Sequence, residues 1–130
     1  MQFGYTIVYV NSVSASLAFY NQAFGFATRF LHESGQYGEL ETGATALAFA
    51  SHAMGEMNLG GAYTKSERGA APLGIELAFV CDDLDAAYAK ALAAGAQAVM
   101  PPETKPWGQS VAYVRGHDGE LIELCTPVSG

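Results

Sequence analysis

The feature of this chain that most constrains its fold is an internal repeat. Both halves of the 130-residue sequence show the same order of predicted elements, a strand, a helix and three further strands. A constant offset of 71 positions relates the first strand and helix of the two halves, and it places Tyr5 on Glu76, Val13 on Leu84, Leu17 on Tyr88 and Tyr20 on Ala91. Each half alone leaves one sheet face uncovered, so the halves, from one chain or exchanged between two chains, must join their sheets or be covered by a partner. The alternative is an unrelated α+β domain whose halves look alike by chance.

In the first half, apolar periodicity predicts one helix among four strands. The helix follows a possible cap at Asn11 or Ser12, carries apolar residues at helical spacing, and ends at Gly25. We expect the strands over residues 5–10, 26–32, 37–41 and 45–50. The predicted order of the first half is therefore βαβββ.

The second half repeats this order. Asp82 or Asp83 caps a predicted helix that Gly95 closes. We expect strands over residues 75–80, from residue 99, and over 110–115 and 121–126, with a loop opened by Pro101 and Pro102 and a hairpin turn at 117–119, where the sequence reads His-Asp-Gly. We therefore predict a single domain over 1–130, with module one at about 3–50, a connector of little regular structure at about 51–73, and module two at about 74–127.

Alternation along the predicted strands separates two faces. One face is bulky and apolar, as packing against the helices requires. The other is mixed and carries small residues, tyrosines and two glutamates, namely Tyr5, Ile7, Tyr9, Ala46, Ala48, Ala50, Glu76 and Glu123. Such a mixture is typical of a concave ligand surface, and the alternative is that the glutamates are simply solvated on an open sheet.

Composition excludes several classes of function. The formal charge of −7 and the pI near 4.7 argue against a nucleic-acid partner, which would require clustered Lys and Arg. No apolar stretch reaches the roughly 18 residues that a membrane span needs, and the start of the sequence lacks a secretory pattern. We therefore expect a soluble, cytoplasmic protein in which Cys81 and Cys125, without CxxC spacing, are small buried thiols.

Three segments carry a family resemblance. They are residues 16–20 (SLAFY), 78–87 (AFVCDDLDAA) and 118–124 (DGELIEL), and together with the order of elements they resemble the vicinal oxygen chelate superfamily of glyoxalases, bleomycin-resistance proteins and extradiol dioxygenases. The resemblance covers nearly the whole chain. It implies an α+β fold of two βαβββ modules that form a curved mixed sheet around a concave cavity, with the helices on the outer face. It also implies a homodimer.

The resemblance also implies where a metal ion would bind. The superfamily's metal enzymes use inward residues of the first and last strands of each module, and the corresponding positions here are Tyr5, Ala48, Glu76 and Glu123. Only the two glutamates are ordinary ligands, whereas a catalytic site generally needs about three. No cofactor is therefore predicted, although a divalent metal held by Glu76 and Glu123 stays open. Of the histidines His32, His52 and His117, each is more simply explained as an exposed or hydrogen-bonded imidazole, and His52 is the best remaining candidate ligand.

Two functions fit these observations. In the first, the chain resembles the metal-free bleomycin-resistance branch and sequesters an aromatic or cationic antibiotic, with the ligand contacted by Tyr5, Tyr9, Ala48, Glu76, Trp107 and Glu123. In the alternative, the chain is a metal-dependent lyase, isomerase or dioxygenase in which Glu76 and Glu123 are catalytic, through a metal or as a base. The incomplete ligand set favours a protein that is not an enzyme. We see no serine or cysteine nucleophile motif.

Overall fold

The computed structural model describes residues 1–128, and it confirms the α+β class with two βαβββ modules. The elements are β1 Tyr5–Val10, α1 Val13–Phe24, β2 Thr28–Leu31, β3 Tyr37–Leu40, β4 Ala46–Ser51, α2 His52–Leu59, β5 Glu76–Val80, α3 Leu84–Ala93, β6 Gln97–Thr104, β7 Ser110–Arg115 and β8 Leu121–Cys125. None of the helices in this described range is both long and apolar enough to cross a bilayer.

The chain divides into two compact units, the first over Met1–Lys65 and the second from Ser66 onward. Each unit contains one four-stranded mixed sheet, ordered β1-β4-β3-β2 in the first unit and β5-β8-β7-β6 in the second. The first and last strands of each module pair in parallel, and the remaining pairs are antiparallel. The two sheets therefore have the same topology, as the internal repeat predicts.

In the first unit, α1 covers one face of the sheet. Ser12 caps the helix by accepting a hydrogen bond from the backbone N–H of Ala15, and Gly25 ends it in the left-handed conformation. The fully buried Tyr20 packs on Phe49 of β4, with ring centroids 4.8 Å apart. A Cβ at Gly38 of β3 would approach a Leu17 methyl group of α1 to 2.8 Å, so only glycine allows this close contact. Gly38 therefore faces α1.

In the second unit, α3 begins one repeat after α1. Asp83 accepts from the Ala86 N–H at 3.1 Å and takes the place of Ser12, as the offset of 71 requires. The predicted hairpin turn at 117–119 is confirmed: Gly119 has a φ of 77°, and its N–H donates to the carbonyl of Gly116. Arg115, only 7% exposed, donates to the backbone carbonyls of Gly119 and Glu67. It thereby ties the start of the second unit to this hairpin.

The prediction that the connector has little regular structure is wrong for its first part. α2 occupies His52–Leu59, begins at a Ser51 cap that accepts from the Met54 N–H, and ends at a left-handed Gly60. The apolar periodicity of this segment is weak, so the segment does not predict a helix. Both end signals nevertheless stand in the sequence, and they define the helix.

The predicted loop at Pro101 and Pro102 is also wrong, because β6 runs through both prolines. β6 is an edge strand, and its register against β7 shifts between Met100 and Glu103. Proline has no N–H to donate to a ladder, so it is tolerated at an edge and at a bulge. The second strand of the first unit is shorter than predicted, since β2 begins at Thr28 rather than at residue 26.

Candidate functional site

The sheet face of the first unit that lies opposite α1 will be called the first open face. Gly38 faces the helix, so its neighbours Tyr37 and Glu39 belong to the first open face. Register places Ala48 of β4 between Ile7 of β1 and Glu39 of β3. Small side chains therefore run down the centre of this face, between larger ones on either side, and they are Ala46, Ala48 and Ala50.

Glu39 is the acidic residue of the first open face, and it is only 6% exposed. The Tyr37 hydroxyl donates a hydrogen bond of 2.7 Å to Glu39 Oε2. Burial first, and then the hydrogen bond to Glu39 with its negative charge, raises the pKa of the Tyr37 phenol above its ordinary value. Tyr37 therefore stays a neutral donor to this carboxylate. Arg29 Nε lies 3.9 Å from Glu39 Oε1 and equally far from a carboxylate oxygen of the exposed Glu41.

An aromatic cluster closes one end of the first open face. Tyr63 stacks on Tyr9 with ring centroids 4.8 Å apart, and its hydroxyl lies 2.8 Å from Nδ1 of His52. The cluster needs a glycine at position 55, because a Cβ there would overlap the Tyr63 hydroxyl. α2 and the segment after it therefore bring His52 and Tyr63 to β1.

The corresponding face of the second unit, opposite α3, will be called the second open face. It brings together Glu76 of β5, Tyr113 of β7 and Glu123 of β8. Register pairs Tyr113 directly with Glu123, and the Tyr113 hydroxyl donates to Glu123 Oε1 at 2.8 Å. This hydrogen bond and partial burial raise the pKa of Tyr113 to about 12. Desolvation, and then the charge of Glu123 and a hydrogen bond with it, raises the pKa of Glu76 above its ordinary value. Two carboxyl groups therefore share this face, and Glu76 holds its proton more tightly.

The charges of Glu76 and Glu123 are not offset by a basic side chain. Among residues 1–128, no Lys or Arg lies within ion-pairing distance of either carboxylate. Arg115 lies on the strand next to Glu123, but its guanidinium donates to backbone carbonyls. The second open face is therefore acidic, and among the described residues no basic side chain neutralises it.

Trp107 lies in the turn between β6 and β7 at one end of the second sheet. It is 60% exposed, and its indole N–H donates to the Gln109 side chain at 2.9 Å. Gln109 in turn donates to the Thr126 carbonyl beyond β8. The indole ring is thus exposed while its polar atom is satisfied. Cys81 and Cys125 are free thiols, and burial raises the pKa of each.

The structure places the predicted site residues on two faces. Tyr5, Tyr9 and Ala48 lie on the first open face, and Glu76 and Glu123 lie on the second, where they meet as expected. The convergence of Tyr5 with the two glutamates in one hollow stays a prediction. His32 is exposed and contacts Ser34 in its turn, and His117 is exposed in the hairpin.

These residues do not fit a catalytic divalent ion. Ala48 has no donor atom, and Tyr5 would have to lose its phenolic proton to act as an anionic ligand. Glu76 and Glu123 are two carboxylates that already contact each other, and Glu123 also accepts from Tyr113. His52, the remaining candidate, contacts Tyr63 in the first unit. In the described part of the chain, no three His, Cys, Asp or Glu side chains form a group able to hold a metal.

Sequence reasoning missed three residues of these faces. Tyr37 and Glu39 alternate along β3, so their shared face was available from the pattern, although the burial of Glu39 was not. Tyr113 becomes a partner of Glu123 only through the register of β7 against β8, which the sequence does not state.

A family model described as the Glyoxalase/Bleomycin resistance protein/Dioxygenase superfamily matches residues 2–124 of the chain. A search of curated proteins finds no match. Solved structures do match. A glyoxalase-related enzyme from Fulvimarina pelagi has 23% identity and a TM-score of 0.83, and the match covers 98% of this chain and 88% of that one.

Two further structures agree with this fold. A glyoxalase/bleomycin resistance protein/dioxygenase family enzyme from Burkholderia phytofirmans PsJN has 23% identity and a TM-score of 0.81, over 99% of this chain and 100% of that chain. A protein of unknown function from Agrobacterium tumefaciens str. C58 has 26% identity and a TM-score of 0.76, over 98% and 94% of the two chains. Identities this low establish the fold and leave the chemistry open.

Proposed function

Because the chain belongs to the glyoxalase/bleomycin resistance protein/dioxygenase superfamily, we propose that it binds and sequesters an aromatic, cationic small molecule, of the kind found among antibiotics, without chemical conversion. One observation carries the proposal. Glu123 lies on the second open face beside Glu76, with a hydrogen bond from Tyr113 and without a Lys or Arg partner among the described residues. A cationic ligand would offset the negative charge of this face.

The acidic pair favours a ligand with N–H donors. Hydrogen bonds from a charged nitrogen to a carboxylate are about twice as strong as neutral ones. The Tyr113 hydroxyl holds one carboxylate oxygen of Glu123, which orients the group before any ligand arrives. The net charge of −7 also assists the encounter with a cation. A neutral or anionic ligand would gain none of these interactions.

Each unit has an exposed aromatic ring that can take the apolar part of a ligand. Tyr5 is 57% exposed on the first open face, and Trp107 is 60% exposed at the end of the second sheet. Their rings can stack on a planar ligand, and a cation over such a ring is attracted to its π-electrons. The indole N–H of Trp107 is already bonded to Gln109, so stacking costs it no hydrogen bond.

The test compares a planar cation with its neutral counterpart. Proflavine is a cation near neutral pH, whereas acridine has the same three rings and is mostly uncharged there. We expect equilibrium dialysis to show tighter binding of proflavine. We expect Glu123→Gln to weaken proflavine binding about tenfold or more, because a charged hydrogen bond is lost. The control Asp85→Asn removes an exposed carboxylate from α3, on the other side of the sheet, and should leave binding unchanged.

Recovery of the bound dye decides whether it is converted. Mass spectrometry should find proflavine unchanged after prolonged incubation with the protein. Equal affinity for the two compounds, or equal binding by the wild type and Glu123→Gln, would overturn the proposal.

A metal-dependent lyase, isomerase or dioxygenase that uses Glu76 and Glu123 is the alternative function, although two carboxylates alone are fewer ligands than a catalytic metal generally needs. Elemental analysis of protein purified without chelator separates the two. One tightly held metal per chain that is lost in Glu123→Gln would overturn sequestration and support the metal-dependent enzyme. A homodimer and a cytoplasmic location stay predictions, and sedimentation tests the first.

A further inference from the structure

Glu39 is a buried carboxylate that the proposed contacts on the second open face do not use. Its side chain is only 8% exposed, although it faces away from α1 on the first open face. A buried carboxylate must be compensated by hydrogen bonds or by an opposite charge. The partners of Glu39 therefore show how much of its hydrogen-bonding capacity is used.

Within residues 1–128, Glu39 receives one hydrogen bond, although a carboxylate can accept about four. That bond comes from the Tyr37 hydroxyl and goes to Oε2. Arg29 lies 3.9 Å from Oε1, beyond hydrogen-bond distance, and it is shared equally with Glu41. The Arg29 side chain is 48% exposed, so solvent screens this ion pair. In this part of the chain, Oε1 therefore has no donor at hydrogen-bond distance.

The residues beside Glu39 are small on one side and aromatic on the other. Ala48 is its cross-strand neighbour on β4 and extends no further than a methyl group. Phe30 is its neighbour on β2, and the Phe30 ring lies 5.9 Å from the ring of Tyr37. Phe30 is exposed, so a flat group packed on these rings would place an N–H group near Oε1.

We propose that Glu39 is a second recognition residue for an organic cation, in which a planar amidinium or aromatic ammonium group donates to Oε1 and packs against Phe30 and Tyr37. This inference rests on the proposed function, which it deepens by naming a second cation-binding position, on the first open face. It excludes anionic ligands, because they would face a carboxylate that is already desolvated. It also makes Glu39 a determinant of charge specificity.

The matched pair Glu39→Gln and Glu41→Gln tests the proposal. Both variants remove one negative charge from neighbouring positions, and both remove a carboxylate 3.9 Å from Arg29. We expect Glu39→Gln to weaken proflavine binding about tenfold and to leave acridine binding unchanged, because only the cation donates a charged hydrogen bond. We expect Glu41→Gln to change neither affinity by more than about twofold, since its carboxylate is exposed.

The variant Tyr37→Phe separates recognition from a structural role. It removes the hydrogen bond to Glu39 and leaves the charge, so the carboxylate gains capacity for a ligand donor. Proflavine affinity should then be retained or raised, while Glu39→Gln lowers it. A purely structural role would weaken proflavine binding in both variants.

The outcomes distinguish this inference from the function beneath it. Tighter binding of proflavine than acridine to the wild type, lost on Glu39→Gln and kept on Glu41→Gln, supports both. The same preference in the wild type and in a folded Glu39→Gln overturns the role of Glu39 and leaves the proposed function intact. Binding without any preference for the cation in the wild type overturns the proposed function itself.

Discussion

The two open faces place their carboxylates at different points of the same sheet pattern. On the first open face the acid is Glu39, and its cross-strand neighbour is Ala48. On the second open face the acid is Glu123, which occupies the strand position of Ala48, and its cross-strand neighbour is Tyr113. Each acid accepts a hydrogen bond from a tyrosine hydroxyl, at 2.7 and 2.8 Å. The repeat therefore preserves the backbone, while the acid stands at a different strand position on each face.

This difference shows that an open face without the expected metal ligands can still be acidic. The first unit has Tyr5 and Ala48 at the positions that the resemblance assigns to metal ligands. Glu39, on the strand next to Ala48, nevertheless gives the same face an acid. The second unit keeps both acids at the expected positions. Acidic character is thus common to the two faces, and a complete ligand set is not.

The largest expected effect comes from adding to the first unit an acid at the position that Glu123 has in the second. Ala48→Glu would place a carboxylate at a fully buried position directly beside Glu39. Two buried carboxylates repel and lose their water, so we expect a loss of about 3 kcal/mol or more in the free energy of unfolding. Urea denaturation measures it. The control Ala44→Glu adds the same charge at an exposed turn position and should cost little. A cost below about 1 kcal/mol at Ala48 would mean that Glu39 tolerates an acidic neighbour.

The two tyrosine hydroxyls provide a second comparison. Tyr37→Phe leaves a nearly buried carboxylate without its one hydrogen bond, so we expect it to cost about 2 kcal/mol. Tyr113→Phe should cost about half as much, because Glu123 is more exposed and keeps its contact with Glu76. Urea denaturation of both variants at neutral pH tests the order. The reverse order would show that the tyrosine hydrogen bond stabilises Glu123 more than it stabilises Glu39.

The smallest expected effect is on the pH dependence of stability, and it arises from Glu76 on the second open face. The pKa of Glu76 is raised above its ordinary value of 4.5, so the folded state binds this proton more tightly than the unfolded state. The stability that this proton contributes is complete below pH 4.5 and is lost as the pH rises through the folded-state pKa. Glu76→Gln should remove this loss and stabilise the protein at neutral pH, by less than about 1 kcal/mol because Glu76 is exposed. Melting temperatures of both proteins between acid and neutral pH measure it, and parallel curves would contradict the raised pKa.

Much of the fold could be predicted because the repeat and the cap signals are local. Ser12 and Asp83 each precede an apolar helical pattern, and both cap helices one repeat apart. α2 escaped prediction because a cap at Ser51 and a stop at Gly60 enclose a segment of weak apolar periodicity. Helix ends alone are a weaker signal than a buried face.

The sites were less accessible from sequence because they depend on cross-strand register. Alternation correctly assigned Glu76 and Glu123 to one face, but their tyrosine partner comes from another strand. Burial of Glu39 depends on its neighbours in space, so its alternation with Tyr37 on β3 could show the face and not the environment. A residue 6% exposed and one fully solvated have the same strand pattern.

The central claim is that carboxylates on the open faces select a planar cation, and the double variant Glu39→Gln/Glu123→Gln tests it most directly. Calorimetric titration with proflavine and acridine gives the preference of each protein for the charged compound. We predict that the wild type prefers proflavine by about tenfold or more and that the double variant binds the two compounds equally. A folded double variant that keeps the full preference for proflavine would contradict the claim.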